Sequence, residues 1–389
     1  MPITKYALEN SASLGILPDR FEHLEKKLDD WVSDGSSQGI TIRVARSGAE
    51  VFNGAYGLSS PGGKALAGDA IFPVASITKP VVAVLLLQLQ EDGEIDICCP
   101  VEHYLPEFGK GDICVYHLLT HTSGLDEDTF FDDVTKYASE NYGLTLPEDA
   151  DWPEREKFHQ ALCDKIGLTG DGLDTEEKLW YHLPAKHKPG TVMSYNNFGY
   201  DTALRIARRI TGERPDELAR RKIFGPLGMI DSHFILPEEK YPRLVQRGEG
   251  FLGYPWQNDC HDWDSGSGGL KTTTADMQKF MEMIRLGGRA ENGDRVLSHL
   301  SVRLMSENQN SHLDNFSAWT LGLNYHGTKF DDTGMMRSAG ALDHGGAMAC
   351  CVQTDAVNKI TFTYFSIMRN KSPLRRALVS NIIMSAIDG

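Results

Sequence analysis

Ser76-Ile77-Thr78-Lys79 sets a hydroxyl and an amine three residues apart. On a helix that spacing puts both side chains on one face, about one turn apart. The tetrad runs into Pro80-Val81-Val82-Ala83-Val84-Leu85-Leu86-Leu87, an apolar run that reads as a buried helix. A helix beginning near Ser76 brings the positive partial charge of its N-terminus to the hydroxyl. Hydroxyl, amine and helix N-terminus are the parts that make a serine nucleophilic near neutral pH. Alone, the tetrad is equally compatible with a serine capping a core helix.

Two further clusters narrow the choice. Ser194-Tyr195-Asn196-Asn197 lies just ahead of a helical pattern. A tyrosine beside a lysine ammonium loses its proton more easily and then serves as general base for a serine. The Asn197 amide can bond both Lys79 and a substrate carbonyl. Asp343-His344-Gly345-Gly346-Ala347 leads into a strand expected over Ala347 to Val352. Glycines there allow close approach of a backbone or ligand, and a strand edge so exposed offers a backbone N–H to an oxyanion.

In this order, Ser-x-x-Lys, Tyr-x-Asn and a His-Gly-Gly strand resemble the serine β-lactamase and penicillin-binding-protein superfamily. The fit is best to the class C branch and to family VIII carboxylesterases. Tyr-x-Asn takes the place of the Ser-Asp-Asn of class A enzymes. Phe72-Pro73-Val74-Ala75, Leu118 to Leu125, Phe224 to Met229 and Gly268 to Met277 are similar too, and the resemblance runs from about Asp19 to the C-terminus. It implies Ser76 as the acylated nucleophile, with Lys79 and Tyr195 sharing the proton work. Asn197, His344, Gly345 and Gly346 would orient the substrate, and the N–H groups of Ser76 and Ala347 would form an oxyanion hole.

One departure redirects the expectation. Class C β-lactamases carry Lys-Thr-Gly where this chain has His344-Gly345-Gly346, and a largely neutral imidazole without a neighbouring hydroxyl is a poorer carboxylate clamp. A carboxylesterase for small or medium acyl esters is therefore favoured over a β-lactamase. Acyltransferase and D-amino-acid amidase or peptidase are rivals on the same scaffold. A non-catalytic acyl-binding sensor is the rival from another class. The resemblance implies no cofactor.

The elements that must position these groups follow from periodicity. Asp19 to Val32 has helical spacing, and Ile40–Ala45 and Val51–Tyr56 read as a hairpin about Arg46–Ala49. Helices are expected over Asn197–Ile210, Pro215–Ile223, Thr274–Ile284 and Leu297–Met305, strands over Leu321–Tyr325 and Lys359–Phe365, and a closing helix over Leu374–Ile387. Strands, helices, strands and a helix make an α+β chain whose two ends share an antiparallel sheet. With the resemblance, this is a single β-lactamase-like domain. Its sheet subdomain spans about 15–72 plus 315–389, and its helical subdomain about 73–314. An acidic insertion, 126–188, carries an excess of about nine negative charges and reads as a solvated helical excursion or a substrate wall.

The remaining signals exclude more than they assign. A net charge of −15 argues against nucleic acid and anionic lipid as partners. No apolar run is long enough to span a bilayer. The N-terminal residues lack a basic and then apolar leader, and seven cysteines have no regular spacing, so a cytoplasmic location is expected. Cys98-Cys99 and Cys350-Cys351 read as buried thiols, and His121 as an internal structural histidine. No metal-binding spacing occurs. Trp152, Trp180, Trp256, Trp263 and Trp319 suit a core or the walls of an apolar site. Oligomeric state is not legible.

Overall fold

Phe21, Leu24, Leu28 and Trp31, spaced for one helical face, are the buried side of α1 (Pro18–Ser33). The structure is a computed structural model that describes residues 5–6, 13–168, 173–251, 258, 260–314, 317–327, 333–347, 349–369 and 373–388. A short strand, β1 (Lys5–Tyr6), precedes α1. The hairpin β2 (Ser37–Arg46) and β3 (Ala49–Gly57) follows. Ser47 and Gly48, with φ of 54° and 84°, form its turn. Successive positive-φ residues match the right-handed twist of the strands they join.

β4 (Phe72–Pro73) pairs with β5 (Lys271–Thr272) and delivers the chain to α2 (Thr78–Glu91). Every residue of α2 from Thr78 to Leu89 is buried. A Val or Leu side chain fully removed from water contributes about 1.5–3 kcal/mol, so this helix anchors whatever sits at its start. The helical section continues with α3 (Val115–Leu119), α4 (Phe130–Tyr142), α5 (Trp152–Ile166), α6 (Thr175–His182), α7 (Asn197–Thr211), α8 (Pro215–Ala219), α9 (Thr274–Arg285) and α10 (His299–Ser306). Part of the acidity of 126–188 is helix capping. Asp151 with Glu154, and Asp174 with Glu177, form reciprocal capping boxes on α5 and α6.

The C-terminal strands β6 (Asn324–Tyr325), β7 (Leu342–Gly346), β8 (Cys350–Asp355) and β9 (Ile360–Met368) complete an antiparallel sheet of order β1-β3-β2-β9-β8-β7-β6. Its centre joins β2 to β9, so both parts of the chain build one sheet. α1 packs with α11 (Pro373–Met384) on one face, and α9 covers the other.

Two strand expectations are corrected. Only Asn324–Tyr325 of Leu321–Tyr325 is strand, because Gly322, at φ 99°, turns the chain onto α2. A Cβ on Gly322 would lie 3.2 Å from the Pro80 Cα. Nor is Ala347–Val352 one strand. His344-Gly345-Gly346 ends β7, Ala347 and Ala349 lie in a turn, and β8 starts at Cys350. The Ala349 N–H closes the turn by donating to the Gly346 carbonyl, 3.1 Å away.

Candidate active site

Ser76 stands in a single 3-10 turn, Ala75–Ile77, immediately before α2. Ala75 has φ 47°, a left-handed conformation that costs a non-glycine residue roughly 1 kcal/mol or more. Neighbours hold the turn in place. The Thr78 hydroxyl donates to the Ala75 carbonyl at 2.7 Å and accepts the Leu270 N–H at 3.0 Å. The Val74 N–H donates to the Leu270 carbonyl. Ser76 itself is partly exposed, and its own N–H makes no hydrogen bond among the described residues.

Lys79 is fully buried one turn later. Its Nζ donates to Ser76 Oγ at 3.1 Å, to Asn197 Oδ1 at 2.7 Å and to the Ser267 carbonyl at 3.0 Å. Three acceptors match the three donors of an ammonium. Asn197 opens α7 beside its N-cap Asn196, whose side chain accepts the Gly199 N–H. On the far side of Lys79, Asp201 Oδ1 accepts the Ser265 hydroxyl and the Ser267 N–H, which holds the loop carrying the Ser267 carbonyl.

Sequence reasoning missed Glu127. Its carboxylate accepts the backbone N–H of Asn197 and, at 2.6 Å, the Asn197 Nδ2–H. Burial raises its pKa, opposed by its bonds to Asn197 and by the Lys79 charge. The sequence offers one signal, its place two residues after Gly124-Leu125 in a matched segment, but the acidity of the insertion around it masks it. Burial likewise raises the Asp201 carboxyl, against its bonds to Ser265 and Ser267.

Tyr195 comes to the same place in a different way from that expected. Lys79 Nζ lies over its ring face, 4.7 Å from the centroid, and no hydrogen bond reaches the Tyr195 hydroxyl among the described residues. The side chain is 39% exposed. His121 brackets it, since the His121 carbonyl accepts the Ser194 N–H and His121 Nδ1 the Asn196 N–H. His121 is buried, its backbone has φ 58°, and its ring packs tilted against Tyr195, with centroids 4.4 Å apart. Burial, then the charge of Lys79, pushes His121 well below the usual histidine range. This is the structural role expected of it.

β7 forms the opposite wall, packed on the Ser76 turn. A Cβ on Gly346 would meet the Val74 carbonyl oxygen at 2.3 Å, so only glycine allows this approach. On Gly345 a Cβ would meet the guanidinium of Arg376. Ala347 is exposed in the turn, and its N–H has no partner among the described residues. His344 is 2% exposed, so it lies inside the wall and not on its open face. Its Nδ1 faces the Gly345 carbonyl at 3.0 Å, its Nε2 has no partner among the described residues, and Trp319 meets it edge-on at 5.4 Å. Burial, then the charge of Lys79, lowers its pKa to about 3. Behind it Asp343 accepts Asn324, Thr333 and Arg337 in a buried cluster that fixes β7.

The insertion packs inward through Val134, Leu162 and Leu179, with Phe130 stacked on Trp180 at 4.1 Å. It borders a cavity of about 330 Å³ lined by Leu125, Phe130, Tyr137 and Lys186 among others. Trp152 is exposed, and Trp256 lies outside the described residues. Cys350 and Cys351 are buried and pushed up to about 12 by desolvation, whereas Cys98 is exposed, contrary to expectation. Among the described residues no group of His, Cys, Asp or Glu is disposed to hold a metal ion, and no helix is long and apolar enough to cross a membrane.

Comparison with known proteins agrees with this architecture. The Beta-lactamase family profile matches residues 21–378. Esterase EstB of Burkholderia gladioli is 27% identical over 230 residues, 55% of this chain and about half (52%) of EstB. Penicillin-binding protein 4 of Amycolatopsis lactamdurans is 27% identical over 333 residues, 82% of this chain and 78% of its own. Among solved structures, EstCE1, described as a hydrolase with promiscuous acyltransferase activity, superposes with a TM-score of 0.70 at 17% identity, over 95% of this chain and 99% of EstCE1. With a family match over most of its length and this fold, the chain belongs to the Beta-lactamase family.

Proposed function

We propose that the protein is a serine hydrolase that forms an acyl-enzyme on Ser76, and that its substrates are small or medium acyl esters. The observation that carries the reading is the 3.1 Å contact between Lys79 Nζ and Ser76 Oγ at the start of a buried helix. Ser76 Oγ attacks the ester carbonyl. The Tyr195 hydroxyl, which has no hydrogen bond among the described residues, takes the serine proton, and the Lys79 ammonium beside the ring offsets the charge that develops. Catalytic hydrogen bonds are often incomplete before substrate binds. The N–H groups of Ser76 and Ala347, without partners among the described residues, receive the oxyanion. One Asn197 Nδ2 hydrogen goes to Glu127, which leaves the other for the substrate. The alcohol leaves with the proton, and water, activated by the same base, releases the acid.

Preference for an ester over a β-lactam is supported by the third motif. His344 is buried and uncharged at neutral pH, so it supplies no cation for a drug carboxylate. The name of EstB points the same way. The test is intact mass after fluorophosphonate treatment, with p-nitrophenyl acetate, butyrate, octanoate and nitrocefin as substrates. Wild type is expected to gain one adduct and to hydrolyse the esters, and Ser76→Ala to do neither. Equal labelling of both proteins removes Ser76 as nucleophile. Fast nitrocefin turnover with negligible ester hydrolysis overturns the ester preference.

A further inference from the structure

We infer that Glu127 is a positioning residue of the hydrolytic site, acting through Asn197 to hold Lys79 against Ser76; this rests on the reading of Ser76 as nucleophile. The geometry leaves one arrangement. Asn197 stands between a lysine ammonium, which only donates, and a carboxylate, which only accepts. With Oδ1 toward Lys79 and Nδ2 toward Glu127, both contacts are bonds. A flipped amide would set Nδ2 against the ammonium and Oδ1 against the carboxylate, and both would repel.

Glu127 also holds the backbone of Asn197, through the N–H that α7 leaves unpaired at its first residue. A carboxylate is favoured at a helix N-terminus. One side chain therefore fixes both the position and the orientation of the amide that takes a Lys79 proton. Glu127 contacts neither Ser76 nor the open face of the cleft in any bond described. Its effect through Lys79 falls on the chemical step and its effect through the second Asn197 Nδ2 hydrogen on the substrate, so kcat should change more than KM.

The acidic insertion thereby acquires a specific role, because Glu127 is its second residue. The segment supplies a countercharge behind the nucleophile as well as any outer wall. Lys79 also faces the Asp201 carboxylate across Ser267, and the imidazoles of His121 and His344, both held neutral at pH 7. Carboxylates thus stand on two sides of Lys79, Glu127 through Asn197 and Asp201 across Ser267.

The experiment compares Glu127→Gln and Glu127→Asp with wild type and Ser76→Ala, by kcat and KM of p-nitrophenyl butyrate hydrolysis and by the rate of fluorophosphonate labelling. Gln presents only one acceptor oxygen to two N–H donors. The expected result is a kcat about 10- to 100-fold lower, a smaller change in KM, and labelling slowed in parallel with kcat. Glu127→Asp keeps both carboxylate oxygens, so its kcat and labelling rate should fall less. Should Glu127→Gln fail to fold, a lowered kcat and slowed labelling in Glu127→Asp carry the test. A Gln variant, or in its place an Asp variant, with wild-type kcat and wild-type labelling overturns the inference. So does a loss confined to KM. If Ser76→Ala still labels and turns over, the hydrolase reading itself has failed, which is a separate outcome.

Discussion

On the helical wall of the cleft, Glu127, Asn197, Lys79 and Ser76 form an unbroken series of hydrogen bonds, and Asp201 braces the Ser267 carbonyl from the other side. On the sheet wall the Ala347 N–H, in its turn, and His344 Nε2, inside the strand, have no partner among the described residues. The contrast separates two tasks. Groups that must hold a proton arrangement before substrate arrives are satisfied within the protein. Donors meant for a transient oxyanion stay open, because a partner in the resting state would have to be displaced. The sheet wall is set by backbone approach and the helical wall by side-chain bonds, so the two should fail differently.

The largest effect is expected on the helical wall. Lys79→Ala removes the hydrogen-bond donor to Ser76 and leaves Asn197 Oδ1 and the Ser267 carbonyl without it. A drop in kcat of about 10³-fold is expected, within the range for a positioned acid–base group, with fluorophosphonate labelling slowed in parallel. Retention of a tenth of the wild-type rate would break the contrast, since the ordered wall would then not be the reactive one.

The next effect belongs to the sheet wall. In Gly346→Ala the new Cβ meets a backbone carbonyl at 2.3 Å, which cannot swing aside, so β7 must withdraw from Val74 and take the Ala347 N–H with it. Misplacement of about 1 Å costs roughly 10²-fold in rate. Gly345→Ala is the internal control, because its Cβ meets only the far end of the flexible Arg376 side chain and no backbone. Its kcat should stay within about twofold of wild type. Equal losses in the two variants would show that the wall is not set by its distance from Val74.

How much of this was legible in the sequence follows the same division. The hairpin, α1, α2 and the Ser76–Lys79 pairing were readable, because each rests on local periodicity or a three-residue spacing. The break between β7 and β8 was not, since an apolar run after two glycines reads as one strand until the Val74 carbonyl is seen opposite Gly346. Tyr195 was found by type, yet its bearing on Lys79 through the ring face depends on His121, whose two backbone contacts bracket it from 74 residues away. Glu127 was hidden because a carboxylate in an acidic stretch looks solvated, and only the fold brings the Asn197 donors to it. The fold class was carried by pattern; the proton arrangement depends on contacts between segments far apart in the chain.

The smallest effect is thermodynamic and tests whether the sheet wall carries a proton at all. His344 has a pKa of about 3 in the folded protein against an ordinary 6.5, with burial as the main cause. Between those values the unfolded chain binds the proton and the folded one does not. The stabilisation is therefore complete above about pH 6.5 and is lost as the pH falls toward 3, by up to about 1.4 kcal/mol per pH unit for one fully titrating group. His121, also lowered, adds to the same slope, while Glu127 and Asp201, raised by burial, act in the opposite sense. Absolute stability mixes these contributions, but the difference between wild type and His344→Gln isolates one of them. Denaturant unfolding at pH 7, 6 and 5 should show the wild type losing stability faster than the variant. Parallel slopes would mean that His344 is not held neutral. The kinetic counterpart is that kcat should show no inflection due to His344 between pH 5 and 8, because an imidazole that stays neutral there has no proton to gain or lose.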